Sequence, residues 1–220
     1  MRVILEGVFG SQAYGLATPE SDEDVHGVFV APTSKVLGLW EPKQTIHHTK
    51  PDSTHHEVGK FVRLALKSNP TIIEQLFLPE YRTLTAEGRL LIENRNAFLS
   101  QAVINSYGGY AISQARRLKK REAEGRVGFS PKTSNRYAKH ARHCFRLLWQ
   151  GREILERGTL TLRVADRDAL FAIGEMDSDS LIARFESEFA DFKRIVPVVP
   201  REPDYQTIND LLLEIRRMNP

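Results

Sequence analysis

The chain carries one cysteine, Cys144, in 220 residues. A single thiol closes no intrachain disulfide and builds no cysteine zinc cage, so disulfide-stapled secreted scaffolds are excluded. A reducing, cytoplasmic setting is the expectation. No apolar run reaches the roughly 18 residues that a membrane-crossing helix needs, so no membrane partner is expected. The opening MRVILEG enters an extended pattern at once, without the charged and apolar regions of a secretory leader. An internal repeat, a low-complexity tract and an HExxH pair are all missing as well.

What is present is ordinary soluble composition, 41% apolar and 27% charged, in a length that fits one large or two small domains. The formal net charge is +3 and the pI about 9.0. That balance is mild, so the placement of charge carries more information than its sum.

The first part of the chain alternates short extended and helical pieces. RVILEGVFG (2–10) reads as a strand, SQAYGLATPES as a short helical turn or loop, and DEDVHGVFVAP as a second strand stopped by Pro32. SKVLGLW reads as a short helix or loop. QTIHHTK and STHHEVGKF read as third and fourth strands around the turn signal KPDS. Helical spacing then begins, with Val58, Phe61, Val62, Ala65 and Leu66 on one face, and stops before Pro70. TIIEQLFL follows as a helix with Thr71 as N-cap and Glu74 at capping-box spacing.

From about residue 85 the pattern is helical. A long helix runs through LSQAVINSYGGYAISQARRLKKREAE, and the loop GRVGFSPKT follows it. Thr133 or Ser134 opens a second long helix that Gly158 ends, and TLTLRVA is a short extended piece. Two amphipathic helices, DSLIARFESEFADFKRI and TINDLLLEIRR, flank the proline-rich VPVVPREPD. The expected class is α+β: a small mixed β-sheet core flanked by helices over 1–96, followed by a C-terminal α-helical domain over 97–220.

Asp22 and Asp24 stand two apart in SDED. On a strand, two such carboxylates project from one face, where their repulsion costs stability unless a cation lies between them. Oxygen-only ligands of this kind suit Mg²⁺ or Mn²⁺. The Gly10–Ser11 pair precedes a turn, where glycine allows close backbone approach and the Ser11 hydroxyl and loop amides could hold a phosphate. A phosphate loop and a divalent-metal pair in this order point to phosphoryl or nucleotidyl transfer by metal-assisted in-line attack.

GSQAYGLATPESDEDVHGVFV resembles the Gly-Ser … Asp-x-Asp signature of the polymerase-beta-type nucleotidyltransferase superfamily. More narrowly, it resembles the RNA-ligase-associated nucleotidyltransferase family, through Gly10-Ser11, Tyr14-Gly15, Ser21-Asp22 with Asp24, and Gly27-Val28. The blocks KFVRLALKSNPTIIEQLF, RYAKHARHCFRLLWQGREILERG and DYQTINDLLLEIRR extend the likeness over nearly the whole chain. The resemblance implies a nucleoside triphosphate donor, two divalent ions on Asp22 and Asp24, and a third carboxylate from a neighbouring strand. It also implies nucleotide contacts at Gly10, Ser11, Tyr14, Ser21 and Lys60. Asp52 and Glu57 are the two candidates for the third carboxylate, with Asp52 preferred as metal ligand. RNA repair, hence an RNA acceptor, is what the family association implies.

Basic residues concentrate between Arg116 and Arg146, offset only by Glu122 and Glu124. One sign of charge over two helices is the footprint of a phosphate-rich partner. Arg136, Lys139, His140 and His143 recur at helical spacing and share one face. Arg136, Lys139 and His140 are therefore candidates for the triphosphate or the acceptor, and His140 is equally read as a hydrogen-bonding residue at the core edge. The pairs His47-His48 and His55-His56 cannot chelate as pairs, because neighbours on a strand point to opposite faces. Phe145, Leu148, Trp149 and Ile154 read as core packing.

Overall fold

The β-branched run after Met1 forms β1, Arg2–Phe9, and the other strands are β2 (Asp24–Val30), β3 (Thr45–Thr49), β4 (Asp52–Glu57) and β5 (Thr83–Leu84). The helices are α1 (Gly10–Ala13), α2 (Thr33–Val36), α3 (Val58–Ala65), α4 (Pro70–Leu76), α5 (Ala86–Glu93), α6 (Ala102–Ala123), α7 (Pro131–Arg157), α8 (Arg167–Glu175), α9 (Ser178–Phe192) and α10 (Tyr205–Arg217). This computed structural model describes residues 1–49, 52–123 and 131–220, and of residues 121–123 and 131–134 the backbone alone. The turn at Lys50-Pro51 and most of the loop GRVGFSPKT lie outside the described residues, as do the side chains of Arg121, Arg126 and Lys132 and both proposed caps, Thr133 and Ser134.

The sheet has the order β3-β4-β2-β1-β5. β1 pairs antiparallel with β2 and β5, β3 pairs antiparallel with β4, and β2 and β4 are parallel. The mixed sheet with flanking helices and a helical remainder is the expected α+β class. β5 adds a strand beyond the four expected, because two residues carry no period.

The chain forms two compact units, 1–100 with 201–220, and 101–200. The helical segment expected over 97–220 therefore does not stay together: α10 packs in the first unit, on α3 and α5. Its anchor is Arg216, whose guanidinium donates to both oxygens of Glu57 at 2.6 and 2.9 Å. Glu57 is only 2% exposed. It also accepts from the Gly59 amide at 2.7 Å, capping α3.

In α3 the predicted face holds: Val58, Phe61, Val62 and Ala65 are buried. α4 differs from expectation. Pro70 occupies the first turn, Asn69 precedes it as N-cap, and Thr71 caps nothing. Proline's fixed φ and missing N–H suit that first position. Glu74, read as the capping-box acid, is instead buried.

The second unit has no strand among its described residues. Tyr107, Ala111 and Leu118 of α6 and Ala141, Phe145 and Leu148 of α7 are buried. The Cys144 thiol donates to the Ala111 carbonyl at 3.2 Å, and burial pushes its pKa up to about 12. It is an inert core group. α7 starts at Pro131, ahead of the expected opening, and ends as expected at Gly158, whose φ is +66°. α8 escapes the sequence pattern: the apolar residues of RDALFAIGE form one unbroken run without helical spacing, and its start rests on the Asp166 side chain capping the Ala169 amide.

Candidate active site

The candidate site lies in the first unit where β1 ends and β2 and β4 begin. Phe9 pairs with Asp24 across the β1–β2 ladder, so Gly10 enters α1 beside the Asp24 side chain. Gly10 has φ +67°, and a Cβ there would lie 2.6 Å from Asp24 Oδ2. Only glycine meets both demands, a left-handed backbone and contact with a carboxylate.

Asp24 is half-buried as the first residue of β2. Asp22 does not share that strand: it is exposed in the segment leading in. The two acids therefore do not project from one strand face. The partner the sheet supplies is Asp52. In the parallel β2–β4 ladder Val25 pairs with Ser53 and His26 with Thr54, so Asp24 and Asp52 sit one residue ahead, at matching positions on adjacent strands. Both carboxylates act on His26, raising its pKa against the stronger depressing effect of burial. Glu57 lies at the far end of β4, paired with Phe29 and tied to Arg216. At roughly 3.3 Å per residue it is about 16 Å from Asp52, and the structure does not bring it to Asp24.

A chain of contacts runs around Gly10 and Ser11. Phe9 meets Tyr14 edge-on at 5.7 Å and stacks on His26 at 4.5 Å. The Tyr14 hydroxyl donates to Glu74 at 2.5 Å, and Gln75 Nε2 lies 3.4 Å from His26 Nδ1. Tyr14, expected at the nucleotide, is thus buried and turned to a carboxylate that is 1% exposed. Ser21 is also engaged locally: its hydroxyl accepts from the Thr18 amide at 2.9 Å. Lys60 donates to Thr45 Oγ1 at 2.6 Å, at the end of β3 that pairs with His56, away from Asp52.

The histidines divide between the faces. His47 meets Thr54 Oγ1 at 2.9 Å and His56 meets Thr45 Oγ1 at 3.1 Å on the Asp24 face. Burial first, then Lys60 and neighbouring histidines, lower the His56 pKa to about 4. On the other face His55 crosses over Gly27 to reach Glu6 at 2.6 Å, and a Cβ on Gly27 would collide with the His55 ring. Sequence reading missed this cross-strand pair, although the glycine between two polar strand positions was its one visible trace.

In the second unit Arg136 and Lys139 are placed on α7, Arg136 exposed and Lys139 exposed. His140 Nδ1 lies 2.9 Å from Gln114 Oε1, which can only accept, so that nitrogen carries the proton. His143 and Arg146 continue the same helix. Burial, then Arg146, His140, Lys139 and Arg117, push the His143 pKa down to about 3.

Among the described residues no three carboxylate, imidazole or thiol side chains close on one point. The donor set gathered at the sheet end, Asp24 and Asp52 with Asp22 just upstream, is nevertheless all oxygen, which fits Mg²⁺ or Mn²⁺ by its chemistry.

The profile of the RNA repair pathway DNA polymerase beta family matches residues 1–214. The chain belongs to this family. The description of that family is of polymerase-beta-type proteins of an RNA repair pathway. An uncharacterised 38.9 kDa protein of Enterobacteria phage T4 is 28% identical over 130 residues, 52% of this chain and 38% of the phage protein. The chain thus matches well under half the length of that relative. No helix among the described residues is long and apolar enough to cross a membrane.

Proposed function

We propose that the protein is a metal-dependent nucleotidyltransferase that moves a nucleoside monophosphate from a nucleoside triphosphate to a hydroxyl at an RNA end. The observation that carries this reading is the placement of Asp24 and Asp52 on adjacent parallel strands, with Gly10 and Ser11 turning directly against Asp24. Asp22 and Asp24, with Asp52, would hold the divalent ions. A bound ion there screens the triphosphate and lowers the pKa of the attacking hydroxyl. Asp52, preferred over the arginine-bound Glu57, accepts the proton of that hydroxyl. The hydroxyl oxygen forms a bond to the α-phosphorus, the bond to the β-phosphate oxygen breaks, and pyrophosphate leaves with the electron pair. The Ser11 hydroxyl and neighbouring amides hold the terminal phosphates, and the ring of Phe9, Tyr14 and His26 fixes the turn that presents them. Arg136, Lys139 and His140 supply donors of the kind a triphosphate or acceptor backbone needs.

The test is incubation with each α-labelled triphosphate, Mg²⁺, total RNA and total protein. Label in the RNA fraction, lost in Asp24→Asn and Asp52→Asn, is the expected result. Label only on protein or a small molecule would move the acceptor to that class. Absence of transfer, with RNA binding retained, would leave an inactive RNA-binding module.

A further inference from the structure

The loop that joins α2 to β3 exposes three large apolar side chains: Leu37 at 82%, Leu39 at 87% and Trp40 at 81%. Isolated exposed apolar residues are ordinary, but three within four positions, one of them an indole, mark a binding surface. The surrounding charge says for what. Lys35 and Lys43 flank the patch, and Glu41 is the only acid between residues 33 and 49. Arg63 donates to Gln44 Oε1 at 3.0 Å and Lys60 to Thr45 Oγ1 at 2.6 Å, so two more cations stand where the loop enters β3. A free aromatic face bordered by cations is how sequence-tolerant single-strand binding is built: bases stack and phosphates pair.

β3 leads from this loop to the acids. It is an edge strand, exposed at His47, His48 and Thr49, with Thr49 paired to Asp52. From Thr45 to Thr49 is about 13 Å at roughly 3.3 Å per residue, a span for a short stretch of nucleic acid.

We propose that the 37–43 loop is a stacking platform for single-stranded RNA. Trp40 takes a base some nucleotides from the reacting end, Lys35, Lys43 and Arg63 take phosphates, and the strand runs along β3 to Asp52. This rests on the functional reading above and adds to it where the acceptor is gripped.

The probe is an eight-nucleotide oligouridylate, read by tryptophan fluorescence and filter binding, beside an RNA duplex of equal length. Because Trp40 is exposed, Trp40→Ala and Trp40→Phe leave the fold intact. The single strand is expected to quench the fluorescence of the wild type, and the Trp40-dependent part to vanish in Trp40→Ala. Affinity falls roughly 5- to 100-fold in that variant, as for one base stack removed, and is largely kept in Trp40→Phe. Lys35→Ala with Lys43→Ala lowers the salt slope by about 0.7 for each phosphate no longer neutralised. Binding by Trp40→Ala within twofold of wild type, or equal quenching by the duplex, overturns the proposal. So does a Trp40-dependent self-association with RNA binding untouched, which would make the patch a protein interface. Quenching at Trp40 with no transfer of label to RNA would count against the enzymatic reading alone. Transfer to RNA without a Trp40 effect would count against the platform alone.

Discussion

Gly10 lies so close to Asp24 that a methyl group in place of its α-hydrogen would stand 2.6 Å from the carboxylate oxygen. This proximity joins the Gly10–Ser11 turn to the first acid of β2, and it occurs at a backbone φ of +67°. Gly10→Ala should therefore carry two penalties. The left-handed conformation costs about 1–2 kcal/mol for a residue with a Cβ, and the clash displaces Asp24. Thermal unfolding should show a lowered midpoint, and nucleotidyl transfer should fall by more than the loss of folded protein accounts for. Full activity in Gly10→Ala would separate the turn from the chemistry.

The two candidates for the third carboxylate part company in a stability assay. Asp52 is exposed at the start of β4 beside Asp24, so Asp52→Asn removes a repelling charge and should leave the melting point unchanged or raised while abolishing transfer. Glu57 is the buried partner of Arg216. Removing its charge leaves a mostly enclosed guanidinium, 13% exposed, without its counter-charge, which costs up to about 3–5 kcal/mol. Glu57→Gln is expected to unfold at markedly lower denaturant, with α10 released from the first unit. A stable but inactive Glu57→Gln, paired with an active Asp52→Asn, would reverse the assignment.

The contrast between these two acids marks the limit of the sequence signal. Both precede the same helix within a few residues, and their local patterns look alike. What separates them is Arg216, 159 positions away from Glu57, and the parallel pairing of β2 with β4. Neither is written in local periodicity. The apolar face of α3, the Gly10 turn and the α7 stop at Gly158 were legible because each depends on neighbours in the chain. Tyr14 was legible as a motif residue but not in its role, since burial against Glu74 joins segments 60 positions apart. Asp22 was misread for the opposite reason: a run that looks extended begins its ladder only at Asp24, leaving Asp22 outside the sheet.

The Tyr14–Glu74 bond offers its own test. The hydroxyl is one donor to a carboxylate inside the first unit, and deleting a partner of a buried acceptor costs about 1–3 kcal/mol. Tyr14→Phe should lose stability of that size in urea unfolding. Because the substitution keeps the ring that meets Phe9, kcat and the triphosphate KM of the folded variant should be little changed. A KM rise without loss of stability would instead place the hydroxyl on the nucleotide.

His143 supplies a pH dependence with a defined sign. Burial and surrounding cations lower its pKa from 6.5 to about 3. Its Nδ1 lies 3.1 Å from Arg146 Nη2 and accepts from it, which an imidazolium cannot do. Between about pH 6.5 and pH 3 the unfolded chain therefore binds a proton at this residue that the folded chain refuses. Unfolding becomes easier as pH falls through that window, and the contribution is absent above it. His143→Gln keeps an acceptor for Arg146 and removes the titration. Urea unfolding at about pH 7.5, 5.5 and 4.5 should show a shallower acid loss of stability in the variant than in the wild type, with the two converging in shape above about pH 7. Equal acid slopes in both proteins would mean that His143 is protonated in the folded state and that Arg146 has turned away from it.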